Sequence, residues 1–124
     1  MKPGLRQWLV EKINDAGLLN GRVYSVQEID NATEPFAIVS EIEEKIRRDS
    51  MDTFLDIKIS VSVFARELSV AEEIAEAIKI KLQVTGETVS FWVLAVRQIS
   101  GRTKKTRLNY QITTDYLINL QEKQ

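Results

Sequence analysis

The strictest constraint on the fold of this chain is a period-two pattern that runs from Thr53 to Ala65. Aliphatic residues occupy every second position, and charged or hydroxyl residues fill most of the positions between them. Successive side chains of a β-strand point to opposite faces of a sheet, so this period indicates a long strand with one buried and one polar face. The predicted buried face consists of Leu55, Ile57, Ile59, Val61, Val63 and Ala65.

The segment before this strand has a similar character. Proline cannot donate to a sheet ladder and is tolerated at the first residue of a strand, so Pro35 marks a strand start. A polar turn over Arg47, Arg48, Asp49 and Ser50 separates the two runs, which together predict a long antiparallel hairpin. Apolar residues at even positions predict the core-facing side of the first strand: Phe36, Ile38, Ile42 and Ile46.

Two segments have the apolar spacing of amphipathic helices. Residues 4–16 form the first, which Gly17 ends, and residues 70–84 form the second. Ser69 and Glu72 have the spacing of a capping box, in which the two side chains satisfy free backbone amides at the helix start. Each helix needs a sheet on which to bury its apolar stripe.

A second long hairpin is predicted after these helices. It consists of an apolar run over residues 89–99, a basic turn over residues 101–107, and an alternating strand from Leu108 to Leu120. Phe91 and Trp92 occupy opposite faces of its first strand, so either a second layer covers this hairpin or one aromatic residue faces a partner subunit. With a short strand at residues 22–26, the fold class is a single α+β domain over residues 1–124. Its order is α-β-β-β-α-β-β, with a mostly antiparallel sheet of long hairpins and both helices on one face.

Composition restricts the chemistry. The chain has no cysteine and no histidine, which removes thiolates, the commonest general base and the commonest metal ligand. Lysine and arginine (17) nearly balance aspartate and glutamate (18), so no overall field attracts a polyanion. Because a signal peptide and a long apolar span are also missing from the sequence, we expect a soluble intracellular protein without a membrane partner, a cofactor or a metal.

Two patterns in the sequence offer enzymatic or ligand-binding alternatives to this expectation. Glu43-Glu44-Lys45 and Asp56-Ile57-Lys58 have the acidic-x-lysine spacing of metal-dependent nucleases, with Asp30 as the nearest additional carboxylate. Alternating charges on the wet face of a hairpin also arise as ordinary cross-strand pairs, which is the favoured interpretation. The basic run GRTKKTR lacks the second glycine and the ending of a phosphate-binding loop, which favours a solvated loop or a partner contact.

Four segments occur in an order and spacing that resemble the small tail-completion, or tail-terminator, proteins of long-tailed bacteriophages and prophages. The segments follow the first helix: EPFAIVS (34–40), TFLDIKISVSVFAR (53–66), SVAEEIAEAIKIKL (69–82) and NYQITTDYLI (109–118). The resemblance spans nearly the whole chain.

The resemblance implies a structural protein of the virion tail, assembled in the bacterial host cytoplasm, with no catalytic residue and no cofactor. Its copies would form a ring, typically a hexamer, that caps the tail tube, stops polymerisation and offers a surface for head–tail joining. Its partners would be further copies of itself, the tail tube protein and the head-completion or connector protein, and DNA would pass through without sequence-specific binding. The alternatives are another phage neck or minor tail component, a generic protein-interaction domain or, with less support, a metal-dependent nuclease.

On this interpretation the tips of the two long hairpins are candidate contacts, because hairpin tips project furthest from a core. These contact residues are Arg47, Arg48, Asp49, Ser50, Arg102, Lys104, Lys105 and Arg107. Four carboxylates are candidates for lining the DNA passage, where negative charge would repel phosphates and let DNA slide: Glu41, Glu43, Glu44 and Asp56.

Overall fold

The computed structural model describes residues 2–24, 33–49 and 51–123. Over these ranges the chain forms two helices and six strands. In chain order they are α1 (Leu5–Asn14), β1 (Val23–Tyr24), β2 (Phe36–Asp49), β3 (Asp52–Ala65), α2 (Leu68–Leu82), β4 (Gly86–Glu87), β5 (Phe91–Lys105) and β6 (Tyr110–Glu122).

All six strands belong to one sheet in the order β1-β2-β3-β6-β5-β4. β1 runs parallel to β2, and every other neighbouring pair is antiparallel. Four long strands therefore form the centre of the sheet, and a strand of only two residues flanks each side. The predicted α+β class with a mostly antiparallel sheet is confirmed. The order contains one strand more than predicted, because β4 is too short to show alternation and Gly86 indicated only the end of α2.

The apolar core lies on one face of this sheet. The buried face of β3 has all six residues that the alternation predicts. Both helices contribute their apolar stripes to the same cluster, Leu5, Trp8, Leu9 and Ile13 from α1 and Ala71, Ile74, Ile78 and Leu82 from α2. The helices thus cover one face, and we call the opposite face, which carries Asp56, Lys58, Ser60 and Ser62 on β3, the open face. Neither helix of the described residues has the length and apolar character needed to cross a membrane.

The predicted facing of β2 is wrong at its start. Ala37 and Val39 are buried in the core, whereas Ile38 pairs with Ser62 on the open face. A bulge between Glu41 and Glu43 then shifts the phase of the strand by one residue. Beyond the bulge the even positions return to the helix-bearing face, but Ile46 lies at the edge of the sheet and is exposed.

The predicted capping box of α2 is also wrong. The helix begins at Leu68 with Glu67 as its N-cap, and the amide of Ala71 donates to the carbonyl of Glu67. Among the described residues no side chain caps this end. Because Ser69 already lies inside the helix, it lacks the extended backbone that a capping serine requires.

Both predicted turns are displaced along the chain. β2 continues through Arg47, Arg48 and Asp49, and Asp49 pairs with Asp52. β5 continues through residues 101–105, and the chain reverses only at Thr106–Asn109, where the Thr106 hydroxyl accepts the amide hydrogens of Leu108 and Asn109. The polar character of both segments comes from exposed strand rather than from loop.

Phe91 and Trp92 point to opposite faces, as predicted. Phe91 is fully buried in the core. Trp92 lies on the open face, with Lys123 Nζ 5.0 Å from its ring centroid. In the described ranges no second layer covers this face, so the first of the two predicted explanations for the aromatic pair does not apply.

A tight contact joins β4 to α1 and gives a testable consequence. A Cβ built on Gly86 would stand 2.9 Å from Nε1 and 3.0 Å from Cζ2 of Trp8, whose indole is buried in the core. We expect Gly86→Ala to lower the free energy of unfolding by about 1–3 kcal/mol, because the core must shift to admit the methyl group. Urea denaturation followed by tryptophan fluorescence measures this loss.

Gly101→Ala is the matched control, since Gly101 also lies in a strand. Its added Cβ would stand 3.1 Å from Nε2 of the flexible Gln98 side chain and 4.0 Å, an ordinary contact distance, from the Thr113 carbonyl oxygen. That side chain can move, so we expect a change within about 0.5 kcal/mol. Equal losses in the two variants would contradict the packing described for Gly86.

Candidate interaction surface

On opposite sides of the sheet, two long strand edges have no further strand beside them among the described residues. β1 pairs only with Ala37 and Ile38 of β2, and β4 pairs only with Trp92 and Val93 of β5. Within the part of the chain that the structure describes, the outer sides of residues 39–49 and 94–105 have no strand partner. We call these segments the β2 edge and the β5 edge. Unpaired edges of this length offer free backbone donors and acceptors to a further strand.

Bulges interrupt both edges, and each bulge exposes an aliphatic side chain. β2 is bulged at Ile42, and β5 is bulged at Leu94 and Ile99. These side chains are 50%, 42% and 41% exposed. Bulges weaken pairing with strands that do not match them, so the two edges do not favour non-specific association. The exposed aliphatic residues nevertheless leave apolar area at the sites where a specific partner would lie.

The two edges differ in charge. Three glutamates, Glu41, Glu43 and Glu44, concentrate negative charge in the first half of the β2 edge. The β5 edge carries four cations and no carboxylate: Arg97, Arg102, Lys104 and Lys105. The acidic half of the β2 edge is therefore complementary in charge to the basic β5 edge.

A network on the open face holds Asp56. Arg47 Nε donates to Asp56 Oδ2 at 2.7 Å and Arg47 Nη2 donates to Oδ1 at 3.1 Å, while Asn119 Nδ2 donates to Oδ1 at 2.6 Å. The hydrogen bonds from Arg47 keep the pKa of the Asp56 carboxyl below its usual range, because they stabilise the charged form. This network ties the end of β2 to β3 and β6.

A second network on the open face surrounds Asp115 of β6. Ser100 Oγ donates to Asp115 Oδ2 at 2.8 Å, and Arg102 Nη1 donates to the same atom at 3.3 Å. Burial raises the pKa of Asp115, but the hydrogen bonds that it accepts outweigh this effect, so the pKa is lowered. Arg102 is therefore engaged on the open face of its own subunit rather than projecting from a loop.

The structure separates the predicted contact residues. Arg47, Arg48 and Asp49 lie in β2, and Arg102, Lys104 and Lys105 lie in β5. Of the eight, Arg107 alone is in a described turn, and Ser50 lies outside the described residues. Since β3 pairs with β6 in antiparallel register, the β2–β3 tip and the β5–β6 turn stand at opposite ends of the sheet.

The four predicted lining carboxylates do not share a face. Glu41 pairs with Ile59 and Glu44 pairs with Ile57, which places both on the helix-bearing face. Glu43 pairs with Lys58 and Asp56 pairs with Lys45 on the open face. The bulge between Glu41 and Glu43 causes this division. A sheet that turns one face to a passage can therefore present Glu43 and Asp56 together, but not all four.

The carboxylates that a nuclease site would use form ion pairs with nearby lysine and arginine side chains. Glu43 Oε1 lies 3.5 Å from Lys45 Nζ and its Oε2 lies 3.8 Å from Lys58 Nζ, while Asp56 is bound by Arg47. Among the described residues no three carboxylates are grouped so that they could hold a metal ion. Asp30 lies outside those residues. The observed arrangement is that of cross-strand ion pairs, which the alternation of charges also predicted.

Sequence reasoning missed Asn119, Ser100 and Asp115, which complete the two networks. Asn119 reaches Asp56 across 63 positions of the chain, and Ser100 reaches Asp115 across 15. These contacts depend on the register of β3, β6 and β5. Alternation shows which residues share a face of one strand, but it does not show which residues of two strands stand opposite each other.

Comparison with known proteins shows a shared fold. No protein-family model matches the sequence, and no curated protein matches it. Among solved structures, the chain is similar to a chain from the virion of a native gene transfer agent particle, with a TM-score of 0.63 and 13% sequence identity. The similarity covers 92% of this chain and 90% of that chain. The two chains therefore share one fold over nearly their full described length.

Proposed function

We propose that this chain is a structural protein of a phage or phage-like particle that acts as a tail terminator. Its copies join into a ring on the end of the finished tail tube, stop further polymerisation and provide the surface on which the head is joined. The observation that carries this proposal is a sheet of four long strands with two open edges on opposite sides. Different edges on opposite sides allow head-to-tail association, which closes into a ring when the rotation between copies permits.

Two further observations support the proposal. The segments EPFAIVS, TFLDIKISVSVFAR, SVAEEIAEAIKIKL and NYQITTDYLI resemble those of tail terminators in order and spacing. The fold is shared with a chain from a gene transfer agent virion over about nine tenths of both chains. A virion location, with assembly in the host cytoplasm, follows from the same resemblance.

The ends of the sheet suit contacts above and below such a ring. The β2–β3 tip carries Met51 and the β5–β6 turn carries Leu108, and both side chains are largely exposed. One end would meet the tail tube protein and the other the head-completion or connector protein. Arg47, Arg48 and Asp49 stand near the first tip, and Arg107 stands at the second. DNA would pass along the open face, where Glu43 and Asp56 lie, each paired with cations of its own subunit.

The experiment that tests this function is a measurement of tail length. Particles are produced with and without the chain, and their tails are measured by negative-stain electron microscopy. We expect overlong tubes of variable length, without heads, when the chain is absent. Headless tails of normal length would instead indicate another neck component, and normal headed tails would refute a role in tail completion.

A further inference from the structure

The directions of the two open edges favour a continuous sheet between copies. Each neighbouring pair along β2-β3-β6-β5 is antiparallel, so β2 and β5 run in opposite directions. If the β5 edge of a second copy lies beside the β2 edge of the first, the antiparallel pattern therefore continues. The joined copies keep their helices on one side and their open faces on the other.

The short strands limit where the two edges can meet. β1 occupies the outer side of β2 at Ala37 and Ile38, and β4 occupies the outer side of β5 at Trp92 and Val93. When residue pairing is followed from strand to strand across the sheet, β1 lies at one end of the long edges and β4 lies at the other. Among the described residues, neither short strand covers residues 39–45 of β2 or residues 95–101 of β5, and we call these two ranges the pairing window. β1 and β4 end the window, so residues 102–105 of one copy and residues 46–49 of the other turn away from the shared sheet beside these short strands.

Inside this window the register aligns two opposite charges on one line of paired residues that crosses the sheet from strand to strand. Glu43 pairs with Lys58, Lys58 pairs with Leu117, and Leu117 pairs with Arg97. All four residues lie on the open face. When the sheet continues without stagger into a second copy, Arg97 of that copy becomes the next residue on the line, directly beside Glu43. Cross-strand neighbours of opposite charge stabilise a sheet, whereas like charges destabilise it.

The two bulged isoleucines, Ile42 and Ile99, lie at nearly the same position along the strand direction. Ile42 lies between the positions that pair with Ile59 and Lys58, and Ile99 lies between the positions that pair with Tyr116 and Asp115. Because Tyr116 itself pairs with Ile59, the two bulges are about one residue apart along the strands. An unstaggered contact would therefore bring the two exposed isoleucine side chains close together and remove both from water.

We propose that copies of this chain join through the pairing window, with Glu43 of one copy against Arg97 of the next and Ile42 against Ile99. The proposal rests on the ring formation proposed above and adds to it the surface and register of the contact. The β2 edge and the β5 edge then have different roles at every interface, so each copy offers one of each. The contact covers the pairing window on both edges at once, which explains why each side of the sheet leaves a bulged, charged strand exposed in the single subunit.

Disulfide trapping tests this register, because the chain contains no cysteine that could form a competing bond. The variant combines Glu43→Cys with Arg97→Cys in one chain. Within one copy the two positions are three strand spacings apart, about 14 Å, and a disulfide requires Cα atoms within about 7 Å. The matched control combines Glu43→Cys with Lys104→Cys. Lys104 lies on the same face and the same edge as Arg97. Through Gln111 it aligns with Phe64 of β3, whereas Arg97 aligns with Lys58, and these two positions of β3 are six residues, or about 20 Å, apart.

Both variants are oxidised as purified protein at high concentration and again bound to tails, and the products are separated under non-reducing conditions. We expect a ladder of covalent multimers from the Glu43→Cys/Arg97→Cys variant, disappearing on reduction, and at least tenfold less multimer from the control. No ladder from the first variant in either preparation, or equal ladders from both variants, would overturn the proposed register.

The wild-type chain separates this outcome from failure of the proposed function. If wild-type rings form on tails, by electron microscopy, while the Glu43→Cys/Arg97→Cys variant gives no ladder, the register is wrong and the ring-forming function stands. If the wild type forms no ring and its removal leaves tail length unchanged, the function itself is wrong.

Discussion

Val61→Asp is expected to abolish folding of the subunit. Val61 lies in the middle of β3 on the core face, is only 2% exposed, and pairs with Val39 and Thr114 on the neighbouring strands. The substitution removes apolar packing worth about 2 kcal/mol and buries a carboxylate without a partner, whose desolvation costs several kcal/mol more, so the total loss is comparable with the stability of the whole domain. A domain of this size has a total stability of about 5–15 kcal/mol, so we expect little folded protein to remain. Circular dichroism during heating, with solubility on expression, measures the loss.

Ser62→Asp is the control for this prediction. Ser62 is the next residue of the same strand, but it faces the open side, where its hydroxyl is 2.9 Å from the Thr113 hydroxyl. A carboxylate there can reach water, so we expect a folded protein with a loss of no more than about 2 kcal/mol. A soluble Val61→Asp variant that melts cooperatively would refute the facing of β3 and with it the placement of the core.

The second large effect concerns assembly rather than folding. Arg97→Glu is expected to prevent ring formation, because it places a carboxylate against Glu43 of the neighbouring copy. Glu43→Lys is expected to do the same by placing an ammonium group against Arg97. Like charges at an interface cost several kcal/mol, and each 1.4 kcal/mol weakens association tenfold, so we expect each interface to weaken by about 100-fold or more. Sedimentation velocity and electron microscopy of tails follow the change.

An equimolar mixture of the two variants provides the decisive control. Glu43 of the Arg97→Glu chain then meets the native Arg97 of the other chain, and Lys at position 43 meets Glu at position 97 at the next interface. Every interface of an alternating ring is complementary, so the mixture is expected to assemble although neither variant does so alone. Thermal unfolding is measured for each variant first, since Glu43 also pairs with Lys45 and Lys58 in its own chain. Failure of the mixture, with both variants folded, would contradict the proposed contact.

The sequence predicted those parts of the fold that depend on one strand or one helix at a time. The core face of β3 follows from regular alternation, and both helices follow from apolar spacing. The face of β2 did not follow, because apolar residues occur at odd and even positions there and the bulge at Ile42 changes the phase. A bulge is a property of two paired strands, and a single run of residues does not reveal it.

The candidate surface was predicted in composition but not in geometry. The charged residues of segments 41–49 and 101–107 were identified, yet residues 47–50 and 101–107 were predicted to be turns because they lack apolar alternation. In the structure residues 47–49 and 101–105 lie on exposed strand edges, where neither face needs to be apolar. Which carboxylate meets which cation depends on register, and so the networks of Asp56 and Asp115 and the line from Glu43 to Arg97 were visible only in the folded chain.

The most direct test of the central claim, that the two open edges build a ring which ends tail growth, is the tail length produced by the Arg97→Glu variant in place of the wild-type chain. The variant is first shown to be folded, and the tails are then measured by electron microscopy. The account predicts overlong tubes with Arg97→Glu alone and normal lengths with the equimolar mixture of Arg97→Glu and Glu43→Lys. Tails of normal length from the folded Arg97→Glu variant alone would contradict it.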